Sequence, residues 1–292
     1  MGFQTFIRPE DMGRDGFQEA NFLGYEDDTM LEPSARWLKA HRNKPLFAAY
    51  LTVNAHHDYN PLSRHGVHHF APDDDLYDRY LNNVRSDDVF LRSLFAQYER
   101  MGLLRKTLFV IVGDHGEAFG EHGRRTHNTV PYEEALRVPL MIYDPSGEVV
   151  RPGRIATPVS QLDLMPTLLT ALGYKLSSGS LHGVSLFEPA RDRVLMASCL
   201  GSCATRTTAS EAFIHHFGRR PDELFDLEHD PLERNDVAAL HPELVAQRAD
   251  EVRAFDRRLF SFYYVHTLHA GRPGAGGAPT AAQRRRESAG RP

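Results

Sequence analysis

The sequence predicts an α/β fold in which helices flank a mostly parallel β-sheet. Two apolar segments, "LFAAYLTV" at residues 46–53 and "TLFVIV" at 107–112, are long enough to form buried strands. An amphipathic helical pattern precedes each of them, at residues 29–42 and 80–104. Strands that are apolar on both faces and alternate with amphipathic helices are typical of a parallel sheet that is covered on both sides.

The first helix and strand follow directly from the local pattern. Residues 29–42 carry apolar side chains at helical spacing and end in basic residues, and Pro45 then separates this helix from the strand at 46–53. The second helix has the same pattern, with Gly102 near its end, and it leads into the strand at 107–112.

A third strand and a third helix complete the predicted α/β region. The strand is "VPLMIYDP" at residues 138–145. The helix is "SQLDLMPTLLTALGY" at residues 160–174, in which Pro166 lies near the first turn and Gly173 ends the helix.

The pattern changes from about Arg191. The segments "RVLMAS", "CATRTTASEAFIHHF" and "DELFDLEHDP" predict short strands joined by polar turns, and "HPELVAQRADEVRAFDRRLFSFYYV" predicts a closing helix. The final segment is rich in Gly, Ala, Pro and Arg and cannot bury a core. We therefore predict an α/β domain over 1–190, a small antiparallel subdomain with one helix over 191–266, and a disordered tail over 267–292.

Composition excludes several classes of protein. With 41% hydrophobic residues, 25% charged residues and a formal net charge of -5, the chain is expected to be globular and not to bind nucleic acid. No apolar segment approaches the length of a membrane span, and no signal peptide is predicted at the N-terminus, so localisation stays unknown. Cys199 and Cys203 could pair or bind metal, but unpaired structural cysteines are favoured here.

Polar side chains follow two of the predicted strands and mark a candidate site. In open parallel sheets, ligands bind beyond the carboxyl ends of the strands. Asp114 and His115 follow the strand at 107–112, and a carboxylate and an imidazole suit a divalent metal. His56 and His57 follow the strand at 46–53, where an imidazole could act as a general acid.

Each of these candidates has a structural alternative. Asp114 and His115 could cap a following helix, and His56 and His57 could be surface histidines. His127, with His122 and two arginines in "GEHGRRTHNTVPYEE", could form an oxyanion clamp or simply be part of a loop. The acidic runs "PDDDLYD", "YEDD" and "SDD" lack the spacing of a calcium loop and are interpreted as solvated faces or helix starts.

Two other enzyme classes lack support in the sequence. There is no G-x-S-x-G segment, which a serine hydrolase of the α/β type would need for its nucleophile. There is also no phosphate-binding G-x-x-x-x-G-K-[ST] loop.

Five segments in order resemble a known family. They are "GLLRKTLFVIVGDHGEAFGEHG", "YEEALRVPLMIYDP", "SQLDLMPTLLTALGY", "LHGVSLF" and "DELFDLEHDPLERNDV". Their series resembles the later two thirds of a sulfatase of the alkaline phosphatase superfamily, over about Gly24 to Val237. The resemblance implies an alkaline phosphatase-like fold.

The resemblance also implies roles for the candidate residues. Asp114 and His115 match the second pair of metal ligands, with His115 where many members carry Asn. His127 falls near the position of a sulfate-binding Lys in sulfatases and of a His in related phosphotransferases. The segment "TVNAHHDYN" matches the one that supplies a His to the ester, with His56 favoured and His57 as the alternative.

The implied activity is metal-dependent hydrolysis of a sulfate ester, with Ca²⁺ as the first choice of metal and Mn²⁺ or Zn²⁺ as alternatives. The sequence lacks the family's paired-aspartate strand and its C/S-x-P-x-R nucleophile segment. We therefore expect a C-terminal part of such an enzyme, as a truncated gene product or a degenerate copy. The alternatives are a phosphoethanolamine or phosphoglycerol transferase or phosphodiesterase acting on phosphate esters, and a catalytically inactive domain.

Overall fold

The structure is a computed structural model that describes residues 2–176, 181–189, 192–199 and 201–263. The chain divides into two units, residues 1–111 with 141–151 and residues 112–140 with 152–292. The predicted disordered tail over 267–292 lies outside the described residues, and the predicted domain boundaries at 190 and 266 stay predictions.

Two helices dominate the first unit, as the sequence predicts. Helix α1 spans Leu31–His41 and helix α2 spans Asp75–Arg100. The side chain of Asp74 accepts a hydrogen bond from a backbone N–H in the first turn of α2 at 3.1 Å and so caps that helix. Phe90 of α2 and Leu38 of α1 belong to one buried apolar cluster, which explains why both helices carry an apolar stripe.

Four short strands form two pairs. Strands β1 (Glu19–Asn21) and β2 (Gly24–Tyr25) are antiparallel. Strands β3 (Phe109–Val112) and β6 (Leu140–Tyr143) form a two-stranded sheet and confirm two of the predicted strands.

The strand predicted at residues 46–53 is wrong, because the structure gives this segment no strand. Leu46 and Tyr50 pack against the apolar cluster between the helices. Phe47 and Leu51 on the other side are 67% and 78% exposed. The segment is therefore buried on one side only, and its apolar pattern does not distinguish this from a strand inside a sheet.

The second unit begins with the turn after β3 and contains mostly short elements. These are β4 (Ala118–Phe119), β5 (Arg125–Thr126), α3 (Glu133–Leu136) and α4 (Leu164–Ala171). Helix α4 confirms the predicted third helix. Pro166 is its third residue, and Gly173 follows its end with a φ of 82°.

A four-stranded antiparallel sheet with one helix forms the C-terminal part of this unit. The strands are β7 (Leu195–Cys199), β8 (Cys203–Thr207), β9 (Glu211–His216) and β10 (Glu223–Asp226), and helix α5 is Pro242–Tyr263. The sheet order is β10-β9-β8-β7. Phe213 packs with Val252 of α5, whereas the adjacent Ile214 belongs to a cluster on the other face with Phe225. The predicted short antiparallel strands and the closing helix are confirmed, and their separation as a subdomain stays a prediction.

Cys199 and Cys203 form a disulfide, so the expectation of unpaired cysteines is wrong. The two residues end β7 and begin β8, and they face each other directly in the antiparallel register. Their Cα atoms are 4.9 Å apart, which lies within the range that a disulfide requires. The hairpin turn between the strands therefore brings the two sulfur atoms together.

The structure tests the membrane and fold-class predictions to different extents. Within the described ranges no helix has both the length and the apolar character needed to cross a membrane. The ladders β1–β2, β4–β5 and β7–β10 are antiparallel, so the mostly parallel sheet stays a prediction.

Candidate functional site

Two glycines hold the turn that follows β3 against α3 and the segment after it. The N–H of Gly113 donates to the carbonyl of Pro139 at 3.1 Å, and the N–H of Gly116 donates to the carbonyl of Ala135 at 2.8 Å. A Cβ atom on Gly116 would lie 2.1 Å from the carbonyl oxygen of Glu134. Gly116 is therefore required for the close approach of the two backbones rather than for an unusual dihedral angle.

Asp114 and His115 stand on this turn with their functional atoms exposed. The carboxylate of Asp114 accepts a hydrogen bond from the N–H of His115 at 2.9 Å, and His115 Nδ1 lies 2.8 Å from the carbonyl of Gly116. A carbonyl only accepts hydrogen bonds, so Nδ1 carries the proton and the neutral ring presents Nε2 as a ligand. A metal-binding histidine usually has its other nitrogen hydrogen-bonded in this way.

The separation of the two donor atoms fits a shared ion. His115 Nε2 and Asp114 Oδ2 are 3.6 Å apart, too far for a hydrogen bond. Metal bonds of about 2.1–2.4 Å at angles of about 90–110° place two ligands roughly 3.2–3.7 Å apart. Asp114 and His115 can thus supply one carboxylate and one imidazole to a divalent metal.

His127 lies beside this pair. Its ring stacks on that of His115 with centroids 3.7 Å apart, and its Nδ1 is 3.1 Å from a carboxylate oxygen of Glu117. The carboxylate orients the imidazole through that hydrogen bond. The structure therefore brings together three of the five predicted site residues, Asp114, His115 and His127.

The other two predicted site residues, His56 and His57, belong to the first unit. Their rings are 4.1 Å apart, and the Phe22 ring lies against both. His56 Nδ1 is 2.6 Å from the carbonyl of His57, so this nitrogen donates and Nε2 is the acceptor nitrogen of the neutral ring. The turn that carries them begins where the N–H of His56 donates to the carbonyl of Val53 at 3.1 Å.

A buried carboxyl pair holds the start of this turn. Asp27 accepts hydrogen bonds from the N–H groups of Val53 at 2.8 Å and Asn54 at 3.2 Å. Burial and the nearby Asp27 carboxylate raise the pKa of Asp87 to about 9. Burial also raises the pKa of Asp27, so the pair retains a proton at neutral pH.

The sequence does not predict this pair, because the runs "YEDD" and "SDD" that contain Asp27 and Asp87 are expected to be solvated faces or helix starts. Asp27 does begin a 3-10 turn, Asp27–Met30, but its side chain is buried. No local signal separates a buried carboxyl from a solvated one when its partner is about 60 positions away in the chain.

His122 bridges two acidic residues at a second cluster. Its Nδ1 is 2.8 Å from Glu134 Oε1, and its Nε2 is 2.9 Å from the carbonyl of Glu233. Burial lowers the pKa of His122, but the hydrogen bonds to Glu134 and Glu233 outweigh this and raise it. An imidazolium that donates from both nitrogens satisfies this geometry without a metal, so His122 acts as a structural bridge.

Groups of three or more ligand-type side chains occur at two places in the described ranges. One is His122 with Glu134 and Glu233, and the other is an exposed turn with Asp226, Glu228 and His229. Neither group includes Asp114 or His115, so these two supply only part of a complete ligand set within the described part of the chain.

Comparison with solved structures gives the class of fold. The crystal structure of Ps i-CgsB in complex with k-i-k-neocarrahexaose superposes with a TM-score of 0.64 at 20% identity, covering 80% of this chain and 55% of that one. This likeness establishes a shared fold. The structure of a 2-O GAG sulfatase also superposes on this chain, with a TM-score of 0.52.

Sequence comparison identifies the family. The Sulfatase family model matches residues 1–174, and the chain belongs to the sulfatase family. An arylsulfatase of Clostridium perfringens is 31% identical over 60% of this chain and 38% of its own length. The lipoteichoic acid synthase-like YvgJ of Bacillus subtilis is 28% identical over 56% of this chain and 28% of its own length. The chain thus spans about a third of the length of these relatives.

Proposed function

We propose that this protein is sulfatase-like and binds sulfate esters with a divalent metal held in part by Asp114 and His115. The observation that carries the proposal is the 3.6 Å separation of a carboxylate oxygen and an imidazole nitrogen on an exposed turn. The turn follows strand β3 of a sulfatase-family chain. Sulfatases generally bind a divalent metal, and this donor pair fits one.

The metal would draw charge from the sulfate oxygens and so favour attack on sulfur. We propose Ca²⁺, by resemblance to sulfatases, and the imidazole of His115 is the reason to test Mn²⁺ and Zn²⁺ beside it. The finer architecture that we propose is a mostly parallel sheet flanked by helices, with β3 ending at the metal-binding turn.

The histidines would contact the ester itself. His127 stacks beside His115 and would donate to a sulfate oxygen. His56, or His57 in its place, is proposed to protonate the leaving oxygen, for which its imidazole must first take up a second proton. The sequence contains no C/S-x-P-x-R segment, so the role of nucleophile is given to no residue here.

A second candidate function is transfer or hydrolysis of a phosphate ester. The similarity to the lipoteichoic acid synthase-like YvgJ supports it. So does His115, because an imidazole ligand favours Zn²⁺ or Mn²⁺ over Ca²⁺. The segment "DELFDLEHDPLERNDV", which resembles the ending of sulfatases, favours the sulfate ester.

Binding of nitrophenyl sulfate tests the proposal and separates the two candidates. We expect purified protein with Ca²⁺ to bind nitrophenyl sulfate more tightly than a nitrophenyl phosphodiester, as measured by saturation-transfer NMR. Asp114→Ala should abolish the metal-dependent part of this binding, whereas Asp250→Ala should not, although both carboxylates are 80% exposed. Little or no turnover is expected without the nucleophile segment.

Three results would count against this assignment. Tighter binding of the phosphodiester with Mn²⁺ or Zn²⁺ would favour the second function. Metal-dependent binding that survives Asp114→Ala would refute the site. Absence of ester binding with every metal would favour a catalytically inactive domain.

A further inference from the structure

The backbone of the metal-binding turn is held by one side chain from elsewhere in the second unit. Gln161 Nε2 donates to the carbonyl of Gly113 at 2.7 Å and to the carbonyl of Asp114 at 2.8 Å. A single amide group thus bonds two successive carbonyls. This fixes the orientation of the two peptide planes on either side of the Asp114 Cα atom.

Gln161 is itself held by a well-anchored helix start. It opens the 3-10 turn Gln161–Asp163, where Ser160 and Asp163 form a reciprocal capping box. The buried carboxylate of Asp163 also accepts from the N–H of Val184 at 2.9 Å and from Arg193 Nη1 at 2.9 Å. Because the helix start is tied to two later segments, the Gln161 amide has a fixed base from which to reach the turn.

The turn needs such support because the hydrogen bonds of its own side chains do not reach another segment. Asp114 is largely exposed and His115 is about one third exposed. Besides the Gln161 amide, the turn is joined to other segments by the N–H groups of Gly113 and Gly116 at its ends and by the stacking of His115 on His127. The hydrogen bonds of the Asp114 and His115 side chains stay within the turn. Between those ends the Asp114 and His115 peptides could rotate and separate the two donor atoms if the Gln161 amide were absent.

We infer that Gln161 is a positioning residue, whose amide keeps the Asp114 carboxylate and the His115 imidazole at the separation that one ion requires. The metal-binding part of this inference rests on the proposed function, whereas the support of the turn does not. Partners that orient metal ligands in this way typically affect metal affinity by about tenfold to a hundredfold.

The first test needs no metal. Gln161→Leu keeps a similar volume and removes both donors, and Gln161→Glu places a carboxylate against the same two carbonyls. Both variants should speed amide hydrogen exchange at Gly113 and Gly116 by about fivefold to tenfold, as measured by NMR. Gln247→Leu on α5 is the matched control and should leave exchange at these glycines unchanged. Exchange that Gln161→Leu leaves unchanged would overturn the inference.

The second test measures Mn²⁺ affinity by electron paramagnetic resonance on the same proteins. Both Gln161 variants should bind Mn²⁺ about tenfold more weakly than the wild type and the Gln247→Leu control. If Asp114→Ala abolishes binding but Gln161→Leu does not weaken it, the positioning role is refuted and the metal site stands. If the wild type binds no Mn²⁺ while exchange still rises, the turn support stands and the proposed function fails.

Discussion

The buried carboxyl pair beneath the His56–His57 turn should make the stability of the first unit depend on pH. Asp87 is the residue to change, because burial and the Asp27 carboxylate raise its pKa to about 9. In the unfolded chain the pKa of an aspartate is about 3.9. Between these two values the folded state retains a proton that the unfolded state releases, so the free energy of unfolding falls as pH rises.

The size of this pH effect follows from the single proton that the folded state retains and the unfolded state releases. Stability should fall by about 1.4 kcal/mol for each pH unit between about pH 4 and pH 9, or about 3 kcal/mol from pH 5 to pH 7. Asp87→Asn replaces the protonated carboxyl with an amide that can also donate to Asp27, and it carries no proton to lose. Relative to the wild type, the variant should therefore gain about 3 kcal/mol over this pH interval.

Urea unfolding followed by tryptophan fluorescence measures this directly, because Trp37 is the single tryptophan and lies on α1 of the same unit. The control is Asp88→Asn, which changes an adjacent but 72% exposed carboxylate and should leave the pH dependence unchanged. If Asp87→Asn shows the same slope with pH as the wild type, the retained proton is refuted.

Three further predictions concern the second unit. Gly116→Ala should lower stability by about 1–3 kcal/mol in thermal unfolding, since the new Cβ would meet a carbonyl oxygen at 2.1 Å, whereas Gly153→Ala enters open space and should be neutral. Cys203→Ser removes a disulfide spanning four positions and should lower the free energy of unfolding by about 2 kcal/mol in urea; an effect that persists after full reduction of the wild type would contradict this. Burial raises the pKa of Glu233 to about 7. Above about pH 4.5 the unfolded chain releases a proton that the folded state retains, so the free energy of unfolding falls as pH rises to about 7. Glu233→Gln should therefore raise Tm relative to the wild type at pH 8 but not at pH 5, and an equal change at both pH values would refute the assignment.

Elements with a strong local pattern could be predicted from the sequence. Helices α1 and α2 carry apolar stripes and recognisable ends, and the strands β7–β10 alternate with polar turns. The segment at 46–53 could not be judged in this way, because an apolar run does not reveal whether a partner strand lies beside it. The cysteine spacing did contain a usable signal, since a short turn between two strands places Cys199 opposite Cys203.

The candidate site was predictable only in part. Asp114 and His115 are predicted ligands because they follow an apolar strand in a recognisable family segment. The structure places the ring of His127 against that of His115, and the roles of all three stay predictions. The supporting residues were not found, because Asp87 and Gln161 act on turns about 30 and 50 positions away. Such long-range hydrogen bonds leave no periodic pattern in the sequence.

The central claim is that Asp114 and His115 hold a divalent metal, and anomalous diffraction from crystals grown with Mn²⁺ tests it most directly. We predict an anomalous peak within metal-bond distance, about 2.0–2.4 Å, of both Asp114 Oδ2 and His115 Nε2. The peak should be absent in Asp114→Ala crystals grown in the same way. A peak at His122, Glu134 and Glu233, with none at the turn after β3, would contradict the account.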